Sequence, residues 1–291
     1  MLFTNAFLLI TFNYYYSMSI VTLSTDIGQQ DYIVGAIKGQ LLSANESLTI
    51  VDISHYLSQA NFPEAAYICS NAFTHFPAKT IHIILLNFFE KKSDCFLLAV
   101  YNNQFIICAD NGILTMITNG ETITVYKIPF TVTDTFLQTT NKMASIVAAI
   151  SNNKNADEIA TLTTEYVKKT SLKPVVSEDM IRGQIIFIDN FENVVVNITK
   201  SDFEEYRKGR NFDIVFKKDE VIDSFSTNYL DVQDGEKIAW FNSAGYLELA
   251  VNKGNMAGLF GLQGFNELNY KEGKSMQNKL YYTNAIIVFK D

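Results

Sequence analysis

The chain is 291 residues long, enough for one large or two ordinary domains with a real core, and 48% of it is hydrophobic. Its 23 Lys and Arg stand against 31 Asp and Glu, a formal charge of −8, with no run of five or more basic residues. That balance argues against a nucleic-acid partner, which needs a basic patch to meet phosphates.

The elements run as follows. Residues 1–17 hold an apolar run, Phe7 to Phe12, followed by Tyr14-Tyr15-Tyr16. No Lys or Arg precedes the run and no small-residue cleavage site follows it, so it makes a poor signal peptide. It is also too short and too broken by Asn5, Asn13 and Ser17 to span a membrane. Translation is expected to start at Met18, with 1–17 a mis-annotated leader; export is the lesser alternative. Ile20 to Ser24 reads as a first strand, and Tyr32 to Leu42 carries apolar residues at helical spacing. Leu48 to Ile53 is a second strand. Pro63 opens a helix reaching about Phe76, at a first-turn position where a missing N–H costs nothing. Ile81 to Leu86 is apolar throughout, as a central strand buried on both faces should be. Shorter strands follow at Phe96–Tyr101, Phe105–Cys108 and Thr122–Ile128, then a helix near Thr140–Ile150.

This alternation predicts an α/β N-terminal domain, a layered sheet with helices, over residues 18–167. Residues 168–181, with Pro174 and few large apolar side chains, read as a linker. From 182 to 291 the pattern changes to short strands separated by turns: Gln184–Ile188, Val194–Ile198, Phe212–Phe216, Lys237–Phe241, Tyr246–Ala250 and Ala285–Phe289. Such spacing without helices predicts a β-barrel-like C-terminal domain. Cys69, Cys95 and Cys108 are isolated in apolar runs, which predicts buried reduced thiols and a cytoplasmic setting. His55, His75 and His82 have no metal-ligand spacing, so no metal is expected.

Two stretches end β-rich runs with a carboxylate and a turn: Ser24-Thr25-Asp26-Ile27-Gly28-Gln29-Gln30-Asp31 and Asp189-Asn190-Phe191-Glu192-Asn193. From the residues alone, Asp26 and Asp31 are either two carboxylates for a ribose diol or an Asx turn and a helix cap. The second stretch is equally an ordinary β hairpin, and Asn242-Ser243 a serine turn.

In combination these stretches resemble one family, the S-adenosylmethionine (SAM) hydroxide adenosyltransferases and their SAM-dependent fluorinase and chlorinase relatives. Thr25, Asp26, Gly28 and Asp31 match the family's T/S-D-x-G-x-x-D loop. Ile50-Val51-Asp52-Ile53-Ser54-His55 is similar to I-V-D-I-T-H, and Asp110-Asn111-Gly112 to a P-D-N-G-L-L segment. His55 itself is read as structural. In the second half, Gly183 to Asn193 resembles G-x-V-x-x-I-D-x-F-G-N, and Asn242 to Glu248 resembles N-S-x-G-x-L-E. The resemblance implies that Asp26 binds the ribose of SAM, with Asp31 in the same loop. It implies further that Phe191 and Asn193 meet the adenine, Asp189 the methionine ammonium, and Ser243, beside Asn242, its carboxylate. It also implies a homotrimer with inter-subunit sites, SAM or adenosine as the ligand, and no separate cofactor.

The catalytic positions depart from the family pattern. Its Asp–Arg–His set falls on Asn87, the neighbourhood of Asp94 and Thr139, so Asn87 and Thr139 are the candidates for orienting a water. Glu90 or Asp94 offers a substitute base, against the plainer reading of a solvated, Lys-flanked loop. The resemblance thus implies SAM hydrolysis to adenosine and L-methionine. A SAM- or adenosine-binding homologue without turnover, and below it a halide transferase, are the alternatives; a trimer with an empty pocket is the structural one.

Overall fold

The structure, a computed structural model, describes residues 19–88, 94–217, 220–266 and 283–290. The leader reading of 1–17 and the candidate base Glu90 lie outside them. Two compact units form: one from the start to Tyr56 with Phe76–Asp110 and Ile123–Tyr166, the other from Leu57–His75, Asn111–Thr122 and Val167 onward.

The first unit is a seven-stranded sheet in the order β2-β1-β3-β5-β4-β6-β7. Its strands are β1 (Ile20–Thr25), β2 (Thr49–Ser54), β3 (Ile81–Leu85), β4 (Cys95–Tyr101), β5 (Gln104–Ala109), β6 (Thr124–Pro129) and β7 (Thr161–Thr163). β1 runs parallel to both β2 and β3, and β3 parallel to β5; the pairings of β4 and beyond are antiparallel. Helix α1 (Ile33–Ala44) packs beside α4 (Phe136–Ser151), where Gln40 bonds Leu137 O at 2.8 Å and Thr140 Oγ1 at 2.7 Å. Val21, Leu23, Ile37, Leu41, Ile83, Leu98, Ile107 and Val147 fill the core between sheet and helices. A four-residue helix, α5 (Ala156–Ile159), precedes β7.

The chain leaves β1 for β2 on one side and returns to β3 on the other. The carboxyl ends of β1 and β3 therefore lie side by side at a topological switch point, where open α/β sheets leave a crevice for ligands.

The second unit holds α2 (Phe62–Phe73), α3 (Ile113–Ile117) and an antiparallel sheet in the order β12-β11-β15-β9-β10-β14-β13, with β8 paired to β9. These strands are β8 (Val175–Val176), β9 (Met180–Ile188), β10 (Val194–Thr199), β11 (Asn211–Lys217), β12 (Glu220–Ile222), β13 (Lys237–Phe241), β14 (Tyr246–Val251) and β15 (Asn284–Lys290). The two end strands meet through Lys237 and Glu220, 2.8 Å apart, so the sheet is a nearly closed barrel. Val194, Val196, Ile214, Leu247, Leu249 and Ile287 fill its interior around Phe203. Gly183 lets β9 and β10 close up: a Cβ there would lie 2.5 Å from Val196 Cγ1.

The C-terminal unit is not free of helices, as the strand pattern suggested. α6 (Lys200–Arg207) follows β10, started by a capping box in which Thr199 and Asp202 bond each other's main chain. A last turn of helix, α7 (Met256–Leu259), follows β14. The stretch read as a linker carries β8, and Lys169 N–H donates to Thr115 Oγ1 at 2.9 Å, tying it to α3. All three cysteines are buried free thiols. Among the described residues no helix is long and apolar enough to cross a membrane.

Candidate functional site

Among the described residues, each unit contains a cluster of polar side chains that its fold holds in place. In the first unit, all of β1 after Ile20 is buried, so Asp26 is the first side chain past the strand able to reach solvent. The loop that carries it is bonded on both flanks. Asp26 N–H bonds Leu85 O at 3.1 Å, Ile27 N–H bonds Thr25 Oγ1 at 3.3 Å, and Gly28 N–H bonds His55 O at 2.6 Å. Gly28 has φ +77°, a left-handed conformation that suits a residue without Cβ. The Asp26 carboxylate is held from the end of β3: its Oδ2 accepts the main-chain N–H of Asn87 at 2.8 Å. Asn87 has φ +45°, which Asn tolerates better than most residues. Asp26 and Asn87 thus meet at the switch point.

Behind the loop runs a line of polar contacts, in which the His55–Asp52 link is a close charge contact and the others are hydrogen bonds. Thr25 Oγ1 lies 3.0 Å from His55 Nδ1, His55 Nε2 lies 3.1 Å from Asp52 Oδ1, and Asp52 Oδ2 accepts Lys38 Nζ at 2.6 Å. Burial pushes the Asp52 carboxyl up, but the bonds from Lys38 and His55 outweigh it and hold it below its ordinary value. Asp31 stands apart: it is exposed, and its Oδ1 accepts Ile33 N–H at 2.9 Å at the entry to α1. Thr139 is fully buried, with its hydroxyl donating to Thr135 O one turn back on α4 at 3.3 Å. Asp94 is an exposed residue leading into β4.

In the second unit the β9–β10 hairpin turns on Asp189. Its Oδ1 accepts the N–H groups of Phe191 at 2.9 Å and Asn193 at 2.8 Å, and its Oδ2 accepts Asn193 Nδ2 at 3.0 Å. Phe191, at the tip, is 75% exposed, unusual for so large an apolar ring. Glu192 occupies the left-handed position at φ +61° where the family motif has glycine, and its Oε2 takes Gly264 N–H at 2.8 Å.

Asn193 leads inward to residues that the sequence reading did not single out. Its Nδ2 also lies 2.7 Å from Tyr229 Oη and 3.1 Å from Glu248 Oε1. The other Glu248 oxygen accepts Asn242 Nδ2 at 3.0 Å, and that amide reaches Tyr67 Oη on α2 at 3.1 Å. Burial, then the like charge of Asp189, raise the Glu248 carboxyl against the two amide bonds. Burial pushes the Tyr67 phenol up to about 12. Asn242 Oδ1 accepts Ala244 N–H at 3.0 Å and Tyr246 N–H at 3.1 Å, so Asn242 organises the turn that presents Ser243. Ser243 is exposed and its hydroxyl has no hydrogen-bond partner among the described residues. Only the buried Glu248 had a sequence signal, as the last residue of the N-S-x-G-x-L-E stretch; Tyr67 and Tyr229 had none.

A sheet with an anchored carboxylate at its switch point in one unit, and an antiparallel barrel with an exposed aromatic turn in the other, define a two-unit α/β and β protein. The family follows from comparison with known proteins. The model of the SAM hydroxide adenosyltransferase N-terminal domain matches residues 21–160, and that of the C-terminal domain matches 183–269. The chain belongs to the SAM hydroxide adenosyltransferase family. An (R)-S-adenosyl-L-methionine hydrolase of Methanocaldococcus jannaschii is 24% identical over 274 residues, spanning 86% of this chain and 95% of the relative. A crystal structure of an uncharacterized conserved protein from Thermotoga maritima superposes with a TM-score of 0.75 at 20% identity, covering 92% of this chain and 99% of that one. A conserved hypothetical protein from Thermus thermophilus follows at a TM-score of 0.66 and 16% identity, covering 94% and 100%. At these identities the structural likeness establishes the fold.

Proposed function

We propose that the protein binds SAM and cleaves it slowly to adenosine and L-methionine. The observation that carries this reading is the Asp26 carboxylate, fixed at the switch point by a main-chain N–H of the neighbouring strand end. A preset carboxylate offers two oxygens to the two hydroxyls of a ribose without reorganising. Family membership and the hydrolase relative support the choice of ligand and reaction.

In the proposed reaction a water oxygen forms a bond to C5′ while the C5′–S bond breaks. Both electrons stay on sulfur as the methionine thioether, and the water's proton passes to solvent. A sulfonium leaves without acid help, so positioning and exclusion of bulk water are the protein's task. Phe191 and Asn193 are assigned to the adenine, Ser243 to the methionine carboxylate, and Asp189 to the ammonium through the one acceptor direction its turn bonds leave. Asn87 is assigned to the water. Thr139 is left as a wall, because its hydroxyl is committed to its own helix. The proposal takes SAM as the sole small molecule, with no cofactor, and includes a homotrimer and a cytoplasmic setting.

Binding without turnover is the second reading, favoured by the buried, back-bonded Thr139 and by the loss of a carboxylate at Asn87. Absence of a general base costs about 10²–10⁴-fold in rate. Incubating the full chain with SAM in ¹⁸O-water separates the two: hydrolysis yields adenosine labelled at the 5′ oxygen, and Asp26→Ala abolishes it. Binding heat without adenosine selects the second reading. No heat with millimolar SAM or adenosine ends both, and chloride in the same assay tests halide transfer through 5′-chloro-5′-deoxyadenosine.

A further inference from the structure

His55 is 2% exposed and sits just past the end of β2, where no ligand could reach its ring. It nonetheless grips the Asp26 loop twice. Its carbonyl takes Gly28 N–H at 2.6 Å, and its ring nitrogen Nδ1 lies 3.0 Å from the Thr25 hydroxyl. Behind the ring, Nε2 makes no hydrogen bond of good geometry, and the nearby charge sets the tautomer. Nε2 faces the Asp52 carboxylate at 3.1 Å, and that carboxylate carries Lys38 on its other oxygen. A nitrogen facing a carboxylate carries the proton, so Nδ1 is the acceptor and the Thr25 hydroxyl donates to it. With its proton committed there, Thr25 Oγ1 turns its lone pairs to the loop and receives Ile27 N–H.

We propose that His55 is the positioning residue of the ribose-binding loop: Lys38 and Asp52 fix its ring, the ring fixes Thr25, and Thr25 with the His55 carbonyl fixes the main chain just after Asp26. The inference rests on the SAM reading for the identity of the ligand, not for the loop geometry. Two bonds hold the main chain on the residues after Asp26, and one from Asn87 holds a carboxylate oxygen. A carboxylate so held meets a diol without first surrendering freedom, which is where preorganised sites gain affinity.

The charged or titratable groups that meet the ring are Asp52 directly and Lys38 through it. Asp52 is on the surface side, one-third exposed, so the line runs from solvent to the loop.

The test uses the full chain with His55→Ala, His55→Asn and Thr25→Val, each first shown folded by circular dichroism at the assay temperature. Thr25→Val keeps the shape and removes only the hydroxyl; His55→Asn keeps an acceptor near Nδ1. Loss of one such bond predicts a rise of about tenfold in the adenosine Kd for His55→Ala and Thr25→Val. The His55→Ala/Thr25→Val double variant is expected to be no worse than either single variant, the non-additivity of residues in one line. His55→Asn is expected to recover most of the loss, and kcat for SAM to change less than KM. A histidine that merely stabilises the fold would lower the unfolding temperature but leave the Kd of the folded protein unmoved, which overturns the assignment.

Hydrogen exchange over residues 24–31 gives a reading that needs no ligand. Thr25→Val, which removes the acceptor itself, sets the scale: faster exchange of the Ile27 amide in His55→Ala, towards the Thr25→Val rate and with the rest of β1 unchanged, supports the positioning role, and unchanged Ile27 exchange in His55→Ala overturns it. Wild-type protein that binds neither adenosine nor SAM sinks the SAM reading, while exchange still decides the role of His55.

Discussion

His82 gives the sharpest stability prediction. It lies near the start of β3, fully buried, with Nδ1 2.7 Å from Thr22 Oγ1, a bond to Gln104, and the Phe76 ring edge-on at 5.7 Å. Burial drives its pKa down to about 4 from 6.5, against the Gln104 bond that favours the charged form. The folded chain therefore resists protonation that the unfolded chain accepts. Between pH 6.5 and about 4 the unfolded state binds the extra proton, and stability falls as pH falls through this window; above 6.5 the residue contributes no slope. At about 1.36 kcal/mol per unit, the whole window is worth about 3 kcal/mol. Urea denaturation of wild type and His82→Gln at about pH 7.5, 6, 5 and 4 isolates the effect, and the wild type should lose about 3 kcal/mol more than the variant over the series. Parallel curves for the two proteins would refute the argument, whatever the absolute stabilities.

Glu64, at the start of α2, supplies a slope of the opposite sign. Burial raises its carboxyl to about 7, opposed by a bond from Asn61 Nδ2 at 2.9 Å, so stability is lost as pH rises from 4.5 through 7. Glu64→Gln should be more stable than wild type at about pH 8 and equal to it at about pH 4, by the same denaturation assay. Gly183→Ala forces a methyl within 2.5 Å of Val196 and 2.6 Å of Ile198, and should cost about 1–3 kcal/mol in thermal or urea unfolding. The two hydrogens of the Asn193 amide are shared among Asp189, Glu248 and Tyr229, while its oxygen takes no bond among the described residues and is the acceptor left for a ligand. A free acceptor selects an amino group over a carbonyl. Adenosine should bind at least about tenfold more tightly than inosine, and calorimetry with both nucleosides decides it.

The strands were legible because their residues are apolar in a way that only a buried sheet explains. Ile81 to Leu85 is buried at all five positions and shows no alternation, as a two-faced strand must. α6 was not legible, since Lys200 to Arg207 buries only Phe203 and its one local signal, the Thr199–Asp202 capping box, is short. α4 begins at Phe136, one turn before the expected start, because Thr135 and Gln138 cap it in a similar box. At the candidate site, the sequence marked residues that end strands next to turns, Asp26 and Asp189 among them. It did not mark Tyr67 or Tyr229, because their partners Asn242 and Asn193 lie in turns far along the chain and nothing local announces the meeting. Lys38 and Asp52 are similarly 14 residues apart, a distance at which no helical or strand period operates.

The bond from residue 87 to Asp26 comes from the main chain. Every amino acid except proline carries that donor, so the anchor of the carboxylate is indifferent to which side chain stands at position 87. The two are in this way mechanically uncoupled: a chain can exchange the side chain at position 87 and still keep the Asp26 carboxylate in place. Two proteins of this architecture can then share a ligand while differing by orders of magnitude in what they do to it.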